Sequence, residues 1–267
     1  MLVKLMKYEL KATARTLIPL YIALLAFAIV NKIFIGTGLA DKLEGFGSIP
    51  FILSIFGYGC TMAAVFIVTF FVIIQRFYKN LLGDEGYLMN TLPVSTITNL
   101  TSKLSIATFW NIISGFVAIL SIIIMAFKPD TFGDFFRELF KSLSQGYDKF
   151  GIQLYIVIIE AIIAILISLI KSLTMIYASI SIGHLFSKHR ILSSFGAFIV
   201  LNLITGAISS ALGIGFSFFN WKNIFSQSES LFPIHMILGL VILFNLVFFI
   251  AYFIITNYIL KNKLNLE

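Results

Sequence analysis

Apolar residues in this chain run in long blocks rather than in alternating or short periodic patterns, from about Leu17 to Ile35, Ile49 to Ile74, Leu104 to Phe127, Ile152 to Phe186, Ile191 to Phe216 and Pro233 to Leu260. An α-helix rises about 1.5 Å per residue and a bilayer core is about 30 Å thick, so every block is long enough for one crossing. The pattern predicts an all-α membrane protein with six transmembrane helices over residues 17–260. The fourth block exceeds one perpendicular crossing and is expected to tilt or to continue beyond the bilayer. Gly38-Leu39-Ala40 follows the first block as small residues follow a cleaved signal, but that block is longer than the roughly 7–15 apolar residues of a signal core and reads as a span.

Two further segments are amphipathic. In residues 1–16, at about 100° per residue, Lys4, Lys7, Lys11 and Arg15 fall on one stripe, with Leu2, Val3, Leu5, Met6, Leu10 and Ala14 on the other side. Such a helix lies in the membrane interface with its cations toward phosphates or water; the alternative is a charged flank that only sets topology. Glu9 interrupts the apolar side and requires a partner, for which a cytoplasmic subunit is the expectation. Residues of about 128–151 repeat the device: Phe132, Phe135, Phe136, Leu139, Phe140 and Leu143 keep the helical spacing while Asp134, Arg137, Glu138 and Lys141 face away. On the outer leaflet this segment is either a lip for an exiting substrate or a simple loop anchor.

Composition removes the soluble alternatives. The 267 residues are 59% hydrophobic and 12% charged, against about 45–50% and about 25% in a soluble domain. Six spans leave no room for a large water-soluble domain. The single cysteine, Cys60, excludes an internal disulfide and a cysteine metal cluster. A net charge of +7 reports loops that face anionic lipid, not nucleic acid. With the N-terminus inside, Lys4, Lys7, Lys11, Arg15, Arg76, Lys79, Lys103, Lys188, Arg190, Lys261 and Lys263 fall on the cytoplasmic side. Lys32, Lys42, Lys128, Arg137, Lys141, Lys149 and Lys222 then fall outside, interleaved with acids. The bias predicts a multi-pass protein of the cell membrane with both termini cytoplasmic, residues 261–267 forming a short tail.

The hairpin of about residues 75–103 is the most informative stretch. It contains Leu82-Gly83-Asp84-Glu85-Gly86-Tyr87-Leu88-Met89 and then Thr91-Leu92-Pro93-Val94-Ser95. Asp84 and Glu85 favour a helix start, Tyr87, Leu88 and Met89 offer an apolar surface, and Pro93 ends the helix at Leu92. Apolar and aromatic side chains in a cytoplasmic loop call for a protein that covers them.

This hairpin, with Met6-Lys7-Tyr8-Glu9-Leu10-Lys11 near the N-terminus, resembles the permease subunits of type-2 ABC exporters from Gram-positive bacteria. The resemblance covers the whole chain in topology and implies the type-2 ABC exporter fold, with residues 1–16 as an interfacial helix and Gly83, Asp84, Glu85, Gly86, Tyr87, Leu88, Met89 and Pro93 as the element coupled to the ATPase. Met89-Asn90 departs from the aromatic or small residues that often follow in the family. The implied partners are two copies of an ATP-binding subunit, which hold ATP and Mg, and a second permease copy, identical or a sister chain. The implied cargo is an amphipathic peptide such as a phenol-soluble modulin or bacteriocin. A drug or lipid exporter of the same architecture is the nearest alternative, and a structural or sensory membrane protein without transport is the alternative from another class.

The chain has no G-x-x-x-x-G-K-[ST] loop and no H-E-x-x-H or G-x-S-x-G run, so it is expected to be a transport subunit rather than an enzyme, with no cofactor of its own. His184, His189 and His235 are dispersed, the first two reading as part of a basic turn. Within the spans stand Glu160 and Lys171, each costing about 2.5–3.5 kcal/mol to insert unpaired. They are the candidate residues of a translocation path; for Glu160 a dimer contact or snorkelling to the outer headgroups is also open, and Lys171 is free to snorkel inward. Eleven residues separate them, too far for direct neutralisation. The aromatic stretch from Gly213 to Phe232 is either re-entrant or an interface belt.

Overall fold

The computed structural model describes residues 2–36, 49–83, 94–126, 129–186, 188–217 and 231–263. Its helices are α1 (Leu2–Gly36), α2 (Ile49–Phe77), α3 (Thr96–Ala126), α4 (Pro129–Phe150), α5 (Gln153–His184), α6 (Arg190–Ser217) and α7 (Phe232–Asn262). Among the described residues no strand occurs. All of these helices except α4 are long and apolar enough to cross a membrane, the architecture of an all-α multi-pass membrane protein. In no span is more than 22% of the apolar window buried within the chain, so most apolar side chains remain for lipid or another subunit.

Local sequence explains the element ends. Ser95 caps α3: its hydroxyl oxygen accepts from the Thr98 N–H at 3.3 Å, and its carbonyl accepts from Asn99 N at 3.1 Å. The helix thus begins well before the apolar run at Leu104, and Lys103, counted above with the hairpin cations, sits inside it. Gly151 ends α4 at φ 61° and donates its N–H to the Tyr147 carbonyl at 2.7 Å, a left-handed cap that glycine adopts without strain. Pro233 opens α7, where the missing N–H is of no consequence.

The predicted interfacial helix and the first span are one continuous helix. No break falls between residues 16 and 17, and Pro19 lies inside α1; proline is tolerated there because surroundings in a membrane protein can re-satisfy the freed carbonyl. Glu9, Thr13, Leu17, Tyr21, Leu24, Ala28 and Asn31 form one buried stripe at helical spacing along its length. Lys4, Lys7, Lys11 and Arg15 are exposed on the remaining surface. α4 is helical where its periodicity requires, with Phe135, Phe136, Leu139 and Phe140 uncovered.

The chain divides into two compact units. One holds residues 1–76 and 101–138, hence α1, nearly all of α2 and most of α3. Its core is Leu17, Tyr21, Leu24, Ala28, Tyr58, Val65, Ile106 and Trp110. Buried hydroxyls and amides lock the three helices: Ser114 Oγ lies 2.7 Å from Tyr21 Oη and 2.9 Å from Thr69 Oγ1, Tyr58 Oη lies 3.0 Å from Ser121 Oγ, and Asn31 donates to the Ser54 carbonyl at 3.1 Å. Each such bond contributes about 0.6–2 kcal/mol in a membrane protein. The other unit holds residues 77–100 and 139–267. In it α5 packs on both α6 and α7, around Met175, Ala178 and Tyr252 with Phe198, Leu201, Phe248 and Ile255.

Candidate functional site

The hairpin springs from a distorted turn. After Phe77 the helical bonding widens to a π turn over Tyr78–Leu82, closed by Gly83 N–H donating to the Tyr78 carbonyl at 2.9 Å. A π turn inserts an extra residue and re-aims the chain, and such turns recur at functional sites. Here it is anchored: Asn80, Leu81 and Leu82 are buried. The Phe77 ring stacks on Tyr177 of α5, with centroids 4.0 Å apart and planes 7° apart, and both side chains are buried. Tyr78 meets His184, at the end of α5, edge-on at 6.1 Å. Gly83 is extended, and a Cβ there would stand 3.2 Å from the Lys79 carbonyl oxygen, so glycine suits the exit. Of the predicted coupling residues only Gly83 is described; Asp84, Glu85, Gly86, Tyr87, Leu88, Met89 and Pro93 lie outside the described residues, as does most of the stretch after Gly213 weighed for re-entry, from Phe218 to Ser230.

Higher on α5, Glu160 has a partner that the spacing of charges did not reveal. The imidazole Nδ1 of His235, in the first turn of α7, lies 2.7 Å from Glu160 Oε2, and both side chains are only partly exposed. The pair ties α5 to α7. His235 stands two residues after the proline that opens α7, a depth cue that was available in the sequence but carried no indication of which helix it would face.

Lys171 lies on the same face of α5 as Glu160, since eleven residues make close to three turns, about 16 Å along the axis. It forms no hydrogen bond or ion pair with the described residues. Between the heights of these two groups a cleft of about 440 Å³ opens along Ala164, Ile165, Ser168, Leu169 and Ser172, with Val241 opposite. Its wall is apolar with two hydroxyls.

In the other unit, Glu9 and Lys103 are joined in a buried ion pair, the ammonium donating to the carboxylate. This corrects the expectation that a cytoplasmic subunit would satisfy Glu9, because the chain supplies the counter-charge itself. Lys4, Lys7, Lys11 and Arg15 are not drawn into that pair and stay at the surface. Among the described residues no cluster of three or more His, Cys, Asp or Glu side chains converges as metal ligands would.

The geometry therefore defines an all-α, multi-pass membrane protein in which buried or half-buried polar groups of the described residues pair between helices. Compared with family models, curated proteins and solved structures, the chain matches none.

Proposed function

We propose that the chain is the transmembrane permease subunit of an ATP-driven ABC exporter, coupling ATP hydrolysis by a separate subunit to the export of an amphipathic or hydrophobic substrate, in the first place a peptide. The observation that carries this reading is the Phe77–Tyr177 stack at the hairpin root. Residues 77–100 belong to one compact unit with α5, α6 and α7, so a displacement of the hairpin is delivered to α5 through packed rings. α5 then carries it from Tyr177 to Glu160, seventeen residues or roughly 25 Å away. A rigid helix with a packed joint at one end and a hydrogen-bonded contact to α7 near the other is suited to that transfer.

In this reading Asp84, Glu85, Tyr87, Leu88 and Met89 meet the ATP-binding subunit, two copies of which hold ATP and Mg between them. A second permease copy, identical or a sister chain, completes the conduit. Glu160, Lys171 and the cleft between them line the path, where apolar walls and sparse charge suit an amphipathic peptide.

The test is purification of the tagged full-length chain from its native membranes with identification of what accompanies it. A subunit bearing a glycine-rich phosphate-binding loop is expected, and Glu85→Ala and Tyr87→Ala should each lower its recovery and its peptide-stimulated ATP hydrolysis. Recovery of the chain alone, or unchanged recovery and hydrolysis in both variants, sinks the reading. Stimulation by lipids or drugs instead of peptides keeps the exporter and replaces the cargo.

A further inference from the structure

A second cleft opens in the same unit, where α5 turns into α6 beside the hairpin root. It encloses about 680 Å³ and is lined by Tyr78, His189, Arg190, Ile191, Leu192 and Phe195. His189 holds φ at 58°, a left-handed conformation uncommon for a residue with a side chain, and accepts the Ser193 N–H on its carbonyl at 2.9 Å. Gly183 and Ser194 bring the two helices into backbone contact just behind it. The turn therefore presents Lys188, His189 and Arg190 in sequence.

Three features of the cleft specify a ligand. The first is positive charge. Lys188 and Arg190 form no ion pair among the described residues, and no acidic residue occurs in the sequence between Glu160 and Glu229. The second is donor type: a guanidinium presents a planar fork that matches two phosphate oxygens, and the Tyr78 hydroxyl and the His189 imidazole add single donors. The third is what adjoins the cations. Ile191, Leu192 and Phe195 are 83%, 69% and 62% exposed, an apolar apron that a soluble anion would leave wet but an acyl chain would cover.

We propose that this cleft binds the phosphate of an anionic phospholipid, with Arg190 as the principal anchor and the α6 apron receiving its acyl chains. The apron favours a lipid over a soluble acidic segment, because an acyl chain covers those side chains while its phosphate meets Arg190. Basic pockets between transmembrane helices are an established way to hold lipid headgroups. The site does not depend on the exporter reading. Tyr78 belongs both to the cleft and to the π turn, so an occupied cleft braces the hairpin root.

Two measurements test this on the full chain. In nanodiscs containing a photoactivatable phosphatidylglycerol, adducts of the wild-type protein are expected to concentrate in residues 188–195, with a matched phosphatidylcholine probe labelling that segment several times less. Equal labelling by both probes overturns the proposal. In native mass spectrometry Arg190→Gln should retain phosphatidylglycerol about fivefold less than wild type, as expected for the loss of one cation near the surface, while Arg190→Lys should fall between the two, keeping the charge and losing the fork. Retention in Arg190→Gln equal to wild type sinks the proposal, as does displacement of the lipid by millimolar inorganic phosphate, which would make the ligand a free anion. Unaltered lipid retention with lowered recovery of a protein subunit would assign the cleft to that subunit and overturn it as well.

Discussion

The Lys103 ammonium donates to the Glu9 carboxylate with both side chains buried, joining the first turns of α1 to the start of α3. Removing either charge alone takes from the other, buried one its opposite charge in this pair. Glu9→Gln or Lys103→Met should each destabilise the protein by about 3–5 kcal/mol, the usual cost of breaking a buried ion pair from one side, whereas Glu9→Leu combined with Lys103→Met should be close to neutral. Thermal unfolding in detergent of the two single variants and the double variant measures this. Single variants as stable as wild type would show that the pair is solvated.

How much of this was legible in the sequence differs between elements. The six spans follow from apolar length alone, because a bilayer core imposes that length on any helix that crosses it. The face of α1 was legible in part: Thr13, Leu17, Tyr21, Leu24 and Ala28 recur at helical spacing, and Glu9 lies on the same stripe. The partners were not legible. Periodicity fixes which side of a helix is buried but not which helix covers it, and Lys103 lies 94 residues from Glu9 while His235 lies 75 from Glu160. Lys103 was also counted as a loop cation because apolarity begins only at Leu104, although Ser95 had already capped the helix.

The Phe77–Tyr177 joint should be measurable as a coupling energy. A parallel stack of two buried rings contributes about 0.5–1.5 kcal/mol beyond the area it covers. A double-mutant cycle with Phe77→Leu and Tyr177→Leu is expected to return a value in that range for unfolding. If the proposed function holds, each single variant should also lower substrate-stimulated ATP hydrolysis more than basal hydrolysis. Additive effects on stability would mean that the rings are neighbours without interacting.

Glu160 and His235 are expected to act as a unit. Glu160→Gln and His235→Ala should each cost about 0.6–2 kcal/mol, the range for polar contacts between membrane helices, and the double variant should cost little more than the larger single loss. Unfolding of the three variants decides the stability part. An effect on export without an effect on stability would place Glu160 in the path of the substrate, and strictly additive losses would dissolve the pair.

Gly183 tests the turn that shapes the basic cleft. A Cβ on Gly183 would collide with the backbone nitrogen and Cα of Ser194 as well as with its hydroxyl, so α5 and α6 approach as closely as two backbones can. Ser194 itself is tied down, its hydroxyl donating to the Arg190 carbonyl at 2.8 Å. Gly183→Ala should therefore cost about 1–3 kcal/mol, the range for forcing one extra carbon into a packed contact. Removing the Ser194 hydroxyl leaves the collisions with its backbone nitrogen and Cα in place, so Ser194→Ala should be nearly neutral alone and should not restore Gly183→Ala. Thermal unfolding of the three variants is the measurement. Rescue by Ser194→Ala would mean that the side chain, not the backbone, sets the distance between the helices.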